Sequence, residues 1–349
     1  YPYKTVLQST TTESMATLLK EDGYTAHAIH NNSAAFYDRD LVFSQLGFDT
    51  FTSKECMNIK KWTENGWAKD SILTGCILNA LDSTKGQDYI YTISVQGHGD
   101  YPKTEIIENP KIKVVSGVKD EALKNKYTYY ANQVYQMDQF VGDLVNALKK
   151  RGEDTVLVMY GDHLPSLDVD DKDLTYGNKY ETSYFIWDNI GLKKKDGVVQ
   201  AYQLGSEILG KLNIKNGVMN SFHQTRKGTK NYQKDMKTLQ YDMLYGKQYV
   251  WDQKNPFTAS DIMFGIKKVN VTKAYETEDS TFIEGNNFTN FCQVYAADAK
   301  INTTFHNDHL LEVSKKDLKK GDTFTVKIVS KAPRVLQTSN EYVYQGLKQ

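Results

Sequence analysis

The 349-residue sequence predicts an α/β fold: a largely parallel sheet sandwiched by helices, with a small β-sandwich at the C-terminus. Through the first two-thirds, short apolar runs alternate with helical patterns, the pattern of a parallel sheet covered by helices. Near residue 255 the texture changes, and beyond it only short strand-like runs separated by turn residues remain. The boundaries that follow are an α/β region over 1–250, a linker over 251–265 and a sandwich over 266–349. No internal repeat or low-complexity tract interrupts this division.

"TESMATLLKEDGY" reads as a helix with a Thr cap and Gly23 at its end, and "TAHAIHN" as the strand after it. "AKDSILTGCILNALDSTKG" is a second amphipathic helix and "DYIYTISVQGHG" a second strand. "NKYTYYANQVYQMDQFVGDLVNALKKRG" spaces its apolar residues by three and four, with basic residues in the last turn and Gly152 after it. "DTVLVMYGDH" and "TSYFIWDN" are the next strands, and "QLGSEILGKLNI" closes the pattern as a helix. After the linker "DQKNPFTASD", the runs "STFIEGNNFT", "FCQVYAAD", "HLLEVS" and "KKGDTFTVKIVS" supply the sandwich.

Hydrophobic residues make up 40% of the chain and charged residues 25%, ordinary for a globular protein. Basic and acidic residues number 43 each, so no net charge favours nucleic acid. No apolar run reaches the ~18 residues needed to span a bilayer. The chain begins at Tyr1 with neither Met nor signal peptide, so a processed or excised part of a longer protein is expected. Cys56, Cys76 and Cys292 follow no metal-ligand spacing and read as buried thiols, with a Cys56–Cys76 disulfide as the alternative.

Three strand patterns end on ionisable residues: His30, His98, and Asp162 with His163. Ligands of open parallel sheets bind beyond the carboxyl ends of the strands, so such residues converge from distant parts of the chain. Asp162 and His163 pair a carboxylate with an imidazole, a donor set for a divalent cation. The alternative is an Asp capping its own turn, with His163 packed on Pro165. Arg39, in a polar loop after His30, has the planar fork that grips phosphate or sulfate oxygens, and Tyr37 can wall the pocket. Equally, a loop Arg is commonly a structural ion pair. Trp67, His27 and His223 read as packing residues, and His306 and His309 as surface residues of the sandwich.

Three blocks, "GYTAHAIHNNSAAFYDRDLVFSQLGFDTFTS", "TISVQGHGDYP" and "MYGDHLP", together resemble the lipoteichoic acid synthase family of the alkaline phosphatase/sulfatase superfamily. The likeness covers most of residues 1–250. With "GHGDYP", "YGDHLP" and "YDMLYGK", the chain is most similar to a clostridial-type branch. "EGNNFT" followed by "GDTFTVKIV" resembles a TIG type of immunoglobulin-like module. The resemblance implies substrate binding by His30, Tyr37, Arg39 and His98, and metal binding by Asp162 and His163. The implied cofactor is Mn²⁺, with Mg²⁺ or Zn²⁺ as alternatives. Tyr37 stands where the family has Trp, which leaves the head group open.

The resemblance further implies a monomeric enzyme anchored in the membrane of a Gram-positive bacterium, its catalytic domain outside the cell. It would transfer phosphoglycerol from phosphatidylglycerol-like lipid to a glycolipid or polymer, through a covalent phospho-Thr intermediate. That Thr, an acidic ligand before it and the first strand are expected upstream of Tyr1, so the fragment would be inactive and would expose a sheet edge. Thr10, Thr11 and Thr12 fall at a helix start, where capping is their natural role. The alternatives are a sulfate- or phosphate-ester hydrolase of the same superfamily and a non-catalytic cell-surface binding protein. No C/S-x-P-x-R motif for a sulfatase nucleophile is present, although it too would lie upstream.

Overall fold

The computed structural model describes residues 2–175, 177–331 and 333–348. In chain order the first elements are α1 (Met15–Glu21), β1 (Thr25–His30), α2 (Arg39–Gln45), β2 (Thr50–Ser53), α3 (Ser71–Leu81) and β3 (Asp88–Ile93). α4 (Glu121–Arg151), β4 (Val156–Tyr160), β5 (Tyr184–Asp188), α5 (Leu204–Lys211), α6 (Val218–Arg226) and α7 (Tyr232–Leu244) follow. The remainder is strand: β6 (Met263–Phe264), β7 (Asn270–Glu276), β8 (Ser280–Asn286), β9 (Cys292–Ala296), β10 (Ala299–Ile301) and β11 (Thr303–Asn307). β12 (Leu310–Ser314), β13 (Thr323–Val329), β14 (Val335–Thr338), β15 (Tyr342–Val343) and β16 (Leu347–Lys348) complete it. The chain divides into two compact units, residues 1–58, 76–93 and 199–349 in the first, residues 59–75 and 94–198 in the second.

The first unit is built on a parallel sheet of order β3-β1-β2-β6. β1 is buried along nearly its whole length, as a central strand covered on both faces must be. On the sheet, Phe43 of α2 meets Phe51 edge-on at 4.8 Å and lies 5.2 Å from Phe48. The cap of α1 is Ser14, not the expected Thr. Ser14 Oγ accepts from the Thr17 amide while Thr17 Oγ1 accepts from the Ser14 amide, a reciprocal box that stabilises a helix start by about 1 kcal/mol. Thr11 is committed elsewhere: its hydroxyl donates to the Phe257 carbonyl at 2.9 Å. Beyond α5, where the sequence pattern ended, α6 and α7 add two further helices.

The C-terminal strands form two mainly antiparallel five-stranded sheets, one of order β10-β9-β13-β14 with β15 on β13, the other β11-β12-β8-β7-β16. Alternate residues of β8 and β13 are buried, so Ile283, Phe324, Val326 and Ile328 point inward. That core is continuous with Phe43, Phe48 and Phe51 of the parallel sheet. Polar bonds join the same regions: Thr289 Oγ1 donates to the Glu55 carbonyl at 2.7 Å, a buried bond, and Asn58 Nδ2 to the Phe288 carbonyl at 3.1 Å. Gly285 has no room for a side chain, since a Cβ there would lie 2.1 Å from the Asn270 carbonyl oxygen. Residues 251–265 carry β6, which joins the parallel sheet through Thr50↔Met263 and Phe51↔Phe264.

The second unit centres on α4, capped by Asp120, whose carboxylate accepts from the Leu123 amide at 2.6 Å. Gly152 ends it at φ +75°, the left-handed turn glycine adopts without strain. The two strands expected at 154–163 and 182–189 form. They are not members of the parallel sheet, however, but an antiparallel pair with Val156 opposite Asp188 and Tyr160 opposite Tyr184. An apolar run announces a strand without naming its partner, and β4 is only partly buried, unlike β1. No helix of the described residues is long and apolar enough to cross a membrane.

Candidate functional site

In the first unit, β1 delivers the buried His30 to the end of the sheet. The Ile93 carbonyl, 2.8 Å from His30 Nδ1, can only accept, so Nδ1 carries a proton and donates to it. Past His30 the chain is folded by Glu55, fully buried, whose carboxylate accepts from Ser33 Oγ at 2.7 Å, Ser53 Oγ at 2.6 Å and the Ala34 amide at 3.1 Å. It then passes through two left-handed residues in succession, Tyr37 at φ +60° and Asp38 at φ +52°. Each costs about 1–2 kcal/mol outside glycine, strain of the kind that collects at functional loops.

That strained turn presents Arg39. Its guanidinium lies 5.4 Å from the Phe36 ring and 5.3 Å from the Tyr37 ring, and its Nη1 donates to the Phe36 carbonyl at 3.0 Å. Nε is buried with no hydrogen-bond partner. Among the described residues no carboxylate pairs with Arg39. Burial lowers its pKa, opposed by Tyr3, Tyr91 and Tyr37, and an arginine remains cationic through such a shift. Tyr3 is pushed up to about 12 by burial, with Arg39 pulling the other way. Tyr37 is half-exposed, and Lys4 Nζ sits 3.9 Å above its ring. The result is a cationic cluster, Arg39 and Lys4, set among aromatic rings.

The second unit holds His98, Asp162 and His163. β3 stops at Ile93, opposite the last residue of β1, so His98 stands in the loop beyond the strand rather than at its end. Asp70, fully buried, takes the amides of Val95 and Gln96 on Oδ1 at 3.3 Å. Gln96 Nε2 donates to Gln133 and Gln136 of α4 at 2.9 and 2.8 Å. This network fixes the loop. Trp67, expected to be packing, meets the His98 ring edge-on at 5.1 Å. The His98 loop borders the one carrying Asp162 and His163, because a Cβ on Gly99 would meet Ser166 Oγ at 3.6 Å.

β4 likewise stops short, at Tyr160, leaving Asp162 and His163 in the loop after it. Asp162 Oδ1 accepts from the His163 amide at 3.0 Å, while Oδ2 stands 3.5 Å from His163 Nε2. His163 Nδ1 donates to the Leu164 carbonyl at 2.8 Å, which leaves Nε2 as the lone-pair nitrogen. Both side chains are largely exposed, at 79% and 66%, so His163 is not packed away. Two ligands each ~2.1 Å from one ion at the tetrahedral angle lie ~3.4 Å apart, so Oδ2 and Nε2 have the spacing of two ligands to one cation. No group of three or more metal-ligating side chains occurs among the described residues.

Three contributors carried no sequence signal: Lys4 above Tyr37, Glu55 beneath the turn, and Arg334, whose guanidinium binds Asp38 and Asp40 from almost three hundred residues away. The cysteines are all free thiols.

A family profile described as Sulfatase matches residues 1–214. A Rhizobium meliloti (strain 1021) protein named for cyclic beta-1,2-glucan modification is 29% identical over 279 residues, covering 68% of this chain and 43% of that protein. Lipoteichoic acid synthase of Staphylococcus saprophyticus subsp. saprophyticus is 28% identical over 151 residues, covering 42% of this chain and 22% of the synthase. The chain thus spans less than half the length of these curated relatives. Among solved structures, Streptococcus pyogenes phosphoglycerol transferase GacH, in complex with sn-glycerol-1-phosphate, superposes with a TM-score of 0.56 at 23% identity. That likeness covers 68% of this chain and 66% of the transferase, and is one of fold.

Proposed function

Because the chain belongs to the sulfatase family, we propose that it is part of an enzyme transferring phosphoglycerol, or a related phosphodiester group, from a phosphatidylglycerol-like lipid to a glycolipid or polymer acceptor. The observation that carries this reading is Arg39: a partly buried guanidinium with no carboxylate partner among the described residues, on a strained turn between aromatic rings. Such a group is an anion receptor. Its fork matches two phosphoryl oxygens, and burial strengthens the attraction. Tyr37 and His30 line the head-group site, and His98 donates to a phosphoryl oxygen. Phosphoryl transfer rests mainly on such positioning and electrostatics.

Asp162 and His163 would hold a divalent cation, Mn²⁺ first, with Mg²⁺ or Zn²⁺ as alternatives. When bound, it supplies charge neutralisation at phosphoryl oxygens and lowers the pKa of a hydroxyl nucleophile. In this proposal the nucleophile is a Thr hydroxyl outside Tyr1–Gln349, and the full-length monomer is membrane-anchored and works on the outer face of a Gram-positive cytoplasmic membrane. The lipoteichoic acid synthase relative supports the reaction class.

Calorimetric titration of the chain with sn-glycerol 1-phosphate tests the reading. Binding should weaken about tenfold or more in Arg39→Lys, which keeps the charge and loses the fork. Equal affinity of wild type and variant would overturn it. In membranes carrying the full-length gene product, Asp162→Ala should abolish diacylglycerol release from fluorescent phosphatidylglycerol.

A further inference from the structure

Arg334 lies in the turn between β13 and β14, far in sequence from the loop of Arg39. Its Nη1 donates to both oxygens of Asp40, at 2.7 and 2.8 Å, and its Nη2 to Asp38 Oδ1 at 2.5 Å. Asp40 is buried; Asp38 also accepts from Gln8 Nε2 at 2.8 Å. The Ser330 amide donates to the Arg334 carbonyl at 3.0 Å.

Asp38 and Asp40 flank Arg39 in sequence and are the carboxylates best placed to neutralise it. Both are instead taken by one guanidinium from the C-terminal sheets. The same fork holds Asp38 in its left-handed conformation, offsetting the cost of the strained turn. We propose that Arg334 is a positioning residue for Arg39: it fixes the 37–40 turn and occupies both flanking carboxylates, so that the Arg39 guanidinium stays open to an anionic phosphoryl group. The inference rests on the anion-binding role given to Arg39 above. It assigns the C-terminal sheets a part in building the substrate pocket.

Two readouts on the 349-residue chain test it: calorimetric affinity for sn-glycerol 1-phosphate, and native-state chymotrypsin cleavage after Phe36 and Tyr37, resolved by mass spectrometry. Arg334→Ala should bind about tenfold more weakly and be cut faster at those two bonds. Arg334→Lys should fall between, since one ammonium cannot span both carboxylates. The double variant with Arg39→Ala should bind no more weakly than Arg39→Ala alone, because the two act through one group. Wild-type affinity in Arg334→Ala would overturn the proposal even if its melting temperature fell, as would unchanged cleavage. Should Arg334→Ala fail to fold, Asp38→Asn, which leaves the Asp40 pair intact, decides by the same readouts. If the wild-type chain binds no glycerol phosphate, the functional reading fails. The cleavage rates then decide the clamp alone, faster cutting in Arg334→Ala supporting it and unchanged cutting overturning it.

Discussion

His30 donates Nδ1–H to the carbonyl of Ile93 at 2.8 Å, and the two residues are also register partners at the last rung between β1 and β3. One side chain therefore finishes the ladder and, in the proposed function, also lines the head-group site. The roles separate by substitution. His30→Asn places an amide donor near the position of Nδ1, so its urea midpoint should stay within ~1 kcal/mol of wild type while glycerol phosphate binding falls about tenfold. His30→Ala should lose about 2–4 kcal/mol, from a cavity and an unpaired buried carbonyl. Wild-type affinity in His30→Asn would remove the ring from the binding role.

Asp162 and His163 hold no other element in place, being exposed and bonded only to their own loop in the contacts described. A chelator should therefore leave the melting temperature of the chain unchanged. Mn²⁺ titrated by electron paramagnetic resonance should bind weakly, as two protein ligands dictate, and at least ~10-fold more weakly in Asp162→Ala or His163→Ala. Equal affinity in wild type and both variants would exclude the pair as ligands.

Much of this was legible in the sequence because the causes are local. Apolar spacing and a terminal glycine announced α4, and a buried apolar run announced β1. What escaped depends on pairing. β3 and β4 end where their partners end, which moved His98 and Asp162 from strand termini into loops. Ser14 outcompeted the threonines as cap because its extended backbone aims Oγ at the Thr17 amide, a choice the residue types alone do not make. Arg39 was visible in the sequence as a candidate anion receptor. The engagement of Asp38 and Asp40 by Arg334 was not, since Arg334 lies between two strands of a different sheet, almost three hundred residues on.

The thiols carry a prediction of their own. Burial pushes Cys56 up to about 12 and Cys76 and Cys292 to about 11, so little thiolate exists at neutral pH. Iodoacetamide at pH 8 should modify the native chain far more slowly than the urea-unfolded chain. Three alkylations should follow unfolding without reductant, because all three cysteines are free. Only one alkylation without reductant would restore a disulfide.

The pH dependence of stability should carry a contribution from His223. Gln203 Nε2 donates to Tyr232 OH at 2.8 Å, and the same hydroxyl is hydrogen-bonded to His223 Nδ1, 2.6 Å away. Burial lowers its pKa below the ordinary ~6.5. Between the lowered folded value and ~6.5 the unfolded chain binds the extra proton, so stability rises with pH across that window. The contribution is complete above ~6.5, is lost as the pH falls towards the folded value, and changes no further below it. His223→Gln retains an acceptor for Tyr232 but cannot titrate. Its melting temperature should fall less than that of wild type between pH 7 and pH 5. Parallel curves for the two proteins would show that His223 is not protonated on unfolding, and that the Tyr232 bond does not depend on a neutral ring.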